Sequence, residues 1–169
     1  MDFLNIINES EEGFKAIAKK LFNEFAIKTY NSTYRITEME FYWNSTSHVD
    51  NTTYKRIHVN PKSGDWFFHY SGVDIALKNE ESGGYGGILL RSVYDITNDK
   101  LYKGPLVCAM RLFSGTNAFE DTIKTRIINH SFPETKIEND VRVGIGKNGI
   151  ENEANKFQYR FFINHINKI

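Results

Sequence analysis

The sequence predicts an α+β domain: one curved, mostly antiparallel sheet with two or three packed helices. Three observations predict it. Apolar and polar residues alternate with period two through residues 33–43 and 157–163. The candidate strands are joined by short turns rather than by crossover helices, which excludes an all-parallel sheet. Aromatic residues make up 14% of the chain, with 13 Phe and 9 Tyr, and these residue types fit a pleated surface.

Taken in chain order, Asn8 or Ser10 caps a helix reaching about Phe25, because Phe14, Ile17, Ala18, Leu21, Phe22 and Phe25 fall at helical spacing. Residues 33–43 follow as a strand. Its alternation assigns Tyr34, Ile36, Glu38, Glu40 and Tyr42 to one face and Arg35, Thr37, Met39 and Phe41 to the other. Residues 44–62 are polar and read as a long loop, a feature that is often functional in a compact domain. Gly64 opens an aromatic run, Trp66 to Tyr70. Ser71-Gly72 then makes a turn, and residues 73–77 return as the second strand of a hairpin. Gly83, Gly84, Gly86 and Gly87 break the chain. Residues 88–96 form a further strand, with Leu89, Arg91, Val93 and Asp95 sharing a face. Gly104-Pro105 starts a short helix over 106–113, since proline suits the first helical position. Strands follow at 126–128, 141–145 and 157–163.

At 169 residues, the chain fits a single domain spanning 1–169, large enough to bury a core without staples. One cysteine, Cys108, permits no internal disulfide, which suits a reducing compartment. The start of the chain is acidic at Glu9, Glu11 and Glu12 and lacks the basic-then-apolar pattern of a secretion signal. No apolar run approaches the length of a membrane span. The expectation is a soluble, cytoplasmic protein with no membrane association and no obligate protein partner. Formal net charge is zero, so composition supplies no basic surface of the kind that grips a duplex.

Several residues invite chemistry. Glu38 and Glu40 stand two apart on one strand, roughly 7 Å from each other. Burial beside Ile36 and Tyr42 would raise a carboxylate's affinity for a proton, as a general base or acid requires. The alternative is a strand leaving the core, with both glutamates in water. Arg91, between Leu89 and Val93, needs either a core carboxylate or a bound anion as its partner. His48, Asp50, His58, His69 and Asp74 raise a metal hypothesis, with His48 and Asp50 as a ligand pair. They lack a third ligand at fixed spacing, and the expectation is no metal. No phosphate-binding glycine loop occurs, and no Ser/His/Asp set is recognisable in the sequence.

The order of segments resembles that of the alkyladenine (3-methyladenine) DNA glycosylases. Residues 34–42, Tyr-Arg-Ile-Thr-Glu-Met-Glu-Phe-Tyr, resemble that family's R-I-V-E-T-E-A-Y. The hairpin after Gly64 resembles its G-x-L-Y-V-Y…Y-G, and Gly87 to Arg91 its V-L-L-R-A strand. Gly104 to Ala109 resemble its G-P-x-K-L-x-x-A helix start. Arg142-Val143-Gly144-Ile145, followed by residues 156–162, resembles its closing R-V-G-I…K-P-x-R-F-Y. The resemblance implies that Glu40 activates water to hydrolyse an N-glycosidic bond, without a cofactor. It implies that Glu38, Tyr42, His69 and Arg91 surround a damaged purine flipped from the duplex. Tyr70, Lys55 and Arg56 become the candidate DNA contacts, and the partner is damaged DNA or a free base or nucleoside. Trp43, Ser71 and Phe157 depart from the family pattern, so what the resemblance implies is a divergent, shortened relative. Two other functions stay open: a non-catalytic module that binds a base or other small ring, and a metal-dependent hydrolase using His48 and Asp50.

Overall fold

The computed structural model describes residues 2–56, 62–117, 119, 124–151 and 153–164. The side chains of Asp2, Tyr54, Lys55 and Asn148 fall outside that description. It is an α+β domain with a curved, antiparallel sheet and few helices.

Helix α1 spans Glu11–Asn23. Ser10 caps it, its Oγ accepting from the Gly13 N–H at 3.3 Å, and Glu11 and Glu12 sit in the first turn where they complement the helix dipole. Phe14, Ile17, Ala18, Leu21 and Phe22 are buried along its apolar stripe. The helix ends two residues before Phe25, which instead opens strand β1, Phe25–Lys28.

Strand β2, Thr33–Asn44, is central. Along one edge it pairs with β5, Gly84–Asp95. Its other edge is shared by β1, near Thr33 and Tyr34, and by β9, Arg160–Ile163, opposite residues 38–40. The hairpin β3, Trp66–His69, and β4, Gly72–Asn79, extends the sheet beyond β5, and β7, Arg126–Asn129, extends it beyond β1. Short strands β6, Lys100–Lys103, and β8, Ile137–Asp140, pair with β5 and β9. Every pairing among the described residues is antiparallel. Helix α1 packs on one face, where Phe14 stacks on Phe41 with ring centroids 5.1 Å apart.

Four local expectations change. First, the alternation along β2 is interrupted. Ile36 pairs with Val93, Glu38 with Ser92 and Met39 with Leu90, so Thr37 and Arg91 are each skipped in the ladder. Each skipped residue reverses the faces of its strand. Ile36 therefore lies in the apolar core with Met39 and Phe41, away from Glu40, and Val93 lies there with Ile88 and Leu90, away from Arg91. Second, Gly84, Gly86 and Gly87 do not break the chain but lie inside β5. A methyl group at Gly86 would fall inside contact distance of the Tyr42 carbonyl, and one at Gly84 would meet the Trp43 ring. Only Gly83, with φ of +66°, belongs to the turn. Third, residues 141–145 are not a strand. Gly144 takes a left-handed φ of +75° and Arg142 turns inward, so pairing stops at Asp140. Fourth, the last strand is confined to Arg160–Ile163, because Ala154–Lys156 forms a 3-10 turn before it.

Helix α2, Pro105–Phe113, begins with proline as expected and rests on the hairpin. A Cβ at Gly72 would come within 2.8 Å of the Pro105 ring, so the absent side chain lets this helix approach. The loop at 44–62 contains a 3-10 helix, Asn51–Arg56. No helix among the described residues is long and apolar enough to cross a membrane.

Gly86→Ala tests the β2–β5 packing. Overpacking of this kind costs about 1–3 kcal/mol. Urea unfolding is expected to show a lowered midpoint with an unchanged slope.

Candidate functional site

The bulge at Thr37 and Arg91 determines what faces the site. Glu38, Glu40 and Tyr42 from β2, and Leu89 and Arg91 from β5, point away from the α1 side. The segment 141–147, the 3-10 helix Asn51–Arg56 and the β3–β4 hairpin rise around them. They enclose a cavity of about 490 Å³, lined by Tyr42, Arg56, His69, Ser71, Arg91 and Val143 among others. Among the described residues its lining carries the cationic side chains of Arg56, Arg91 and Lys147 and no carboxylate.

Glu40 lies directly beneath this cavity, with no exposed surface. Its Oε1 accepts from the Val143 N–H at 2.7 Å. Its Oε2 accepts from the Tyr42 hydroxyl at 2.9 Å and from Arg91 Nη1 at 3.2 Å. Arg91 Nε donates to Glu38 at 3.2 Å, so one guanidinium serves both carboxylates. The surroundings of Glu40 are thus polar donors rather than Ile36. Burial raises its pKa above the ordinary carboxylate value, while Arg91, the Val143 N–H and the Tyr42 hydroxyl pull it back. Burial likewise raises the pKa of the Tyr42 phenol, and the Glu40 charge adds to the effect.

The opposite wall is built by the hairpin. The two-residue turn pairs His69 with Gly72 and Phe67 with Asp74. Asp74 is fully buried. One of its oxygens meets His69 Nε2 at 3.0 Å and the other meets Arg56 Nε at 2.5 Å. His69 Nδ1 lies 2.8 Å from the Ser71 hydroxyl. Arg56 also lies over the Tyr42 ring, 3.8 Å from its centroid, and Arg142 lies 4.5 Å from the same centroid.

The sequence-predicted residues divide accordingly. Glu38, Glu40, Tyr42, His69 and Arg91 converge around the cavity. Tyr70 sits at its mouth on the exposed hairpin tip. Arg56 is buried and committed to Asp74 rather than turned outward toward a phosphate backbone. The Lys55 side chain and His58 lie outside the described residues. Asp50 does not meet His48 as a ligand pair. Its carboxylate accepts from Arg142 Nη1 at 2.6 Å and from the Thr52 hydroxyl at 2.5 Å. The His48 ring lies among Phe157, Tyr159 and Phe14, and burial lowers its pKa. Among the described residues no group of three or more His, Cys, Asp or Glu is placed to hold a metal ion. Burial also pushes the Cys108 thiol up to about 12, which keeps it from acting as a nucleophile.

Three contributors were not singled out from sequence. They are the Val143 N–H on Glu40, the Arg142–Asp50 pair that anchors its loop, and the Ser71–His69–Asp74 chain. The alternation rule could have placed His69 and Asp74 together, because a two-residue turn sets them diagonally across one hairpin face.

No family model matches the chain. It is similar to a protein of Acanthamoeba polyphaga mimivirus named "Uncharacterized protein L759", at 29% identity over 121 residues. The match covers 57% of this chain and 54% of the viral protein, so the chain spans about half the length of that relative.

Two measurements probe the supports of the site. Arg142 and Asp50 are both fully enclosed, and Arg142 also donates to the Phe41 and Ala154 carbonyls. Asp50→Ala leaves that cation without its counter-charge and is expected to cost about 3–5 kcal/mol in denaturant unfolding. His48 has a lowered folded-state pKa, so the unfolded chain binds its proton first. Its contribution to stability is fully present above pH 6.5 and is lost as pH falls through the folded pKa. His48→Phe should flatten the stability profile over that range, and an unchanged slope would count against the assignment.

Proposed function

We propose that this chain is a DNA-glycosylase-like protein that hydrolyses the N-glycosidic bond of a damaged purine, with Glu40 accepting a proton from the attacking water. One observation carries the reading: a fully buried carboxylate lies under a cavity and is fixed there by three directed donors. An ionised carboxylate has about four lone-pair positions. Val143, Tyr42 and Arg91 occupy three of them, which leaves capacity for one further O–H. Burial makes Glu40 a stronger base than an exposed glutamate. Arg91 keeps it ionised and presents positive charge to the cavity. The resemblance of residues 34–42, 87–91 and 142–145 to the alkyladenine glycosylase segments supports the reading, since these segments meet at this carboxylate.

The second reading is a pocket that binds a base or nucleoside without cleaving it. Two observations favour it. Glu40 has no exposed surface, and the Arg56 guanidinium already occupies a place against the Tyr42 ring where an entering base would stack.

Base release from alkylated and deaminated duplexes separates the two. In the glycosylase reading the wild type releases free base, and Glu40→Gln lowers the single-turnover rate by at least about 100-fold with folding intact. The rate should climb with pH along a limb centred above the ordinary glutamate value, because the base must be ionised and burial raises its pKa. A wild type that binds a nucleoside yet releases no base would favour the binding module.

A further inference from the structure

Tyr42 lines the cavity, but a guanidinium covers the face of its ring. Arg56 Cζ lies 3.8 Å from the ring centroid. Stacked aromatic rings have their centroids about 4.5–7 Å apart, so no ring fits between Arg56 and Tyr42. Arg142 lies 4.5 Å from the same centroid and is itself enclosed with Asp50. Arg56 is held in place by Asp74, which is fully buried and accepts from Arg56 Nε at 2.5 Å. Swinging Arg56 aside would leave two charges unpaired away from water, the costly way to break a buried pair. Arg56 is 6% exposed, and it belongs to the cavity lining together with Tyr42. Pairing with Asp74 alone would require neither the position over Tyr42 nor the place in the lining.

We infer that Arg56 determines which rings the cavity accepts: an entering base stacks on its guanidinium instead of on Tyr42, and the site takes neutral purines and turns away cationic, ring-alkylated ones. This rests on the reading that a base or nucleoside enters this cavity. A guanidinium is planar and stacks on aromatic faces, so Arg56 offers a flat platform. The face of a neutral ring carries the negative part of its quadrupole and is attracted to the cation beneath it. A ring that bears a positive charge loses that attraction and meets a like charge at stacking distance.

The carboxylates near the cavity do not cancel this preference. Asp74 and Glu40 have no exposed surface, and neither belongs to the lining. Asp74 stands behind Arg56, and Glu40 is bonded by Arg91, Tyr42 and the Val143 N–H. Arg91 and Lys147, by contrast, line the same cavity as Arg56. Coulomb energy falls with distance, so a ring resting on Arg56 feels that guanidinium more strongly than the carboxylate behind it.

The test is equilibrium binding of two free nucleosides of the same shape to the full chain. One is 7-methylguanosine, used in mildly acidic buffer where its ring is cationic. The other is its neutral isostere, 7-methyl-7-deazaguanosine. The wild type is expected to bind the neutral isostere at least about tenfold more tightly. Arg56→Gln keeps a flat amide but removes the charge, and should bring the two affinities within about twofold of each other. Arg56→Lys keeps the charge and the partner of Asp74 but loses the plane. It should weaken binding of the neutral isostere by about tenfold, and it serves if Arg56→Gln folds poorly. A wild type that binds the cation as tightly as the isostere overturns the inference. So does binding of neither nucleoside, an Arg56→Gln ratio equal to that of the wild type, or an Arg56→Lys affinity unchanged for the isostere. Base release is a separate readout. A protein that binds the isostere selectively yet releases no base from any duplex loses the glycosylase reading and keeps this one. A protein that releases base but binds both nucleosides equally keeps the glycosylase reading and loses this one.

Discussion

The paired bulge between β2 and β5 is the constraint on which the rest of the molecule depends. Without it, strict alternation would set Glu38 and Glu40 on the same face as Ile36, which is packed in the apolar core with Phe14 and Phe41. Two carboxylates and Arg91 would then meet the face that α1 covers, with no donors to receive them. Skipping Thr37 on one strand and Arg91 on the other turns both strands together and keeps the long ladder intact on either side. The skipped residues are themselves provided for. The Thr37 hydroxyl bonds Ser92 Oγ at 2.9 Å, and Ser92 bonds the Tyr102 carbonyl at 3.0 Å. The same reversal carries Arg91 to the cavity, where it can reach Glu38 and Glu40 together.

Turning charge toward a buried second face creates a new demand, and the segments above the sheet meet it. A buried ion is tolerated when it is paired and its remaining hydrogen-bonding positions are filled. Arg142 is shared between Asp50 and two backbone carbonyls. Its position fixes the adjacent Val143 N–H on Glu40, and the left-handed Gly144 then turns the chain back over the cavity. Arg35 follows a different rule: among the described residues it meets no carboxylate, but donates to the Phe22 and Pro133 carbonyls and to Asn23 and Thr135, and burial lowers its pKa to about 10. Much of the cationic charge near the cavity is therefore spent internally. A chain of zero net charge that invests its arginines this way keeps few for a phosphate backbone.

The helical stripe of α1, the proline start of α2 and the aromatic hairpin were legible because each depends on local spacing. The α+β class followed from them. The alternation of β2 and β5 was legible on either side of the bulge, but the reversal between Ile36 and Glu38 and between Arg91 and Val93 was not, because a bulge leaves no mark in a single sequence: Thr37 has the same identity whether or not it is paired. The glycines of β5 were misread as breaks, since their reason is the close approach of Tyr42, Trp43 and Asp74, all remote in sequence. Convergence of Glu40, Tyr42, His69 and Arg91 was legible only through the order of the family-like segments. The donors that complete the site, Val143 N–H and Arg142, come from a stretch that looked like a strand, and alternation of Val141, Val143 and Ile145 could not distinguish the two.

The cavity floor is one connected network rather than two separate sites. From Val143 the contacts run to Glu40, to the Tyr42 hydroxyl, through the Tyr42 ring to Arg56, and on to Asp74, His69 and Ser71. Arg56 is the hinge of this chain, because its guanidinium lies over the ring that orients Glu40 while its Nε holds the carboxylate that orients His69. Hydrogen-bonded groups linked in this way polarise one another, and their energies do not add. Arg56 covers the face of the Tyr42 ring and so ties Asp74 to the phenol that bonds Glu40. The two walls of the cavity are thereby linked through a single side chain.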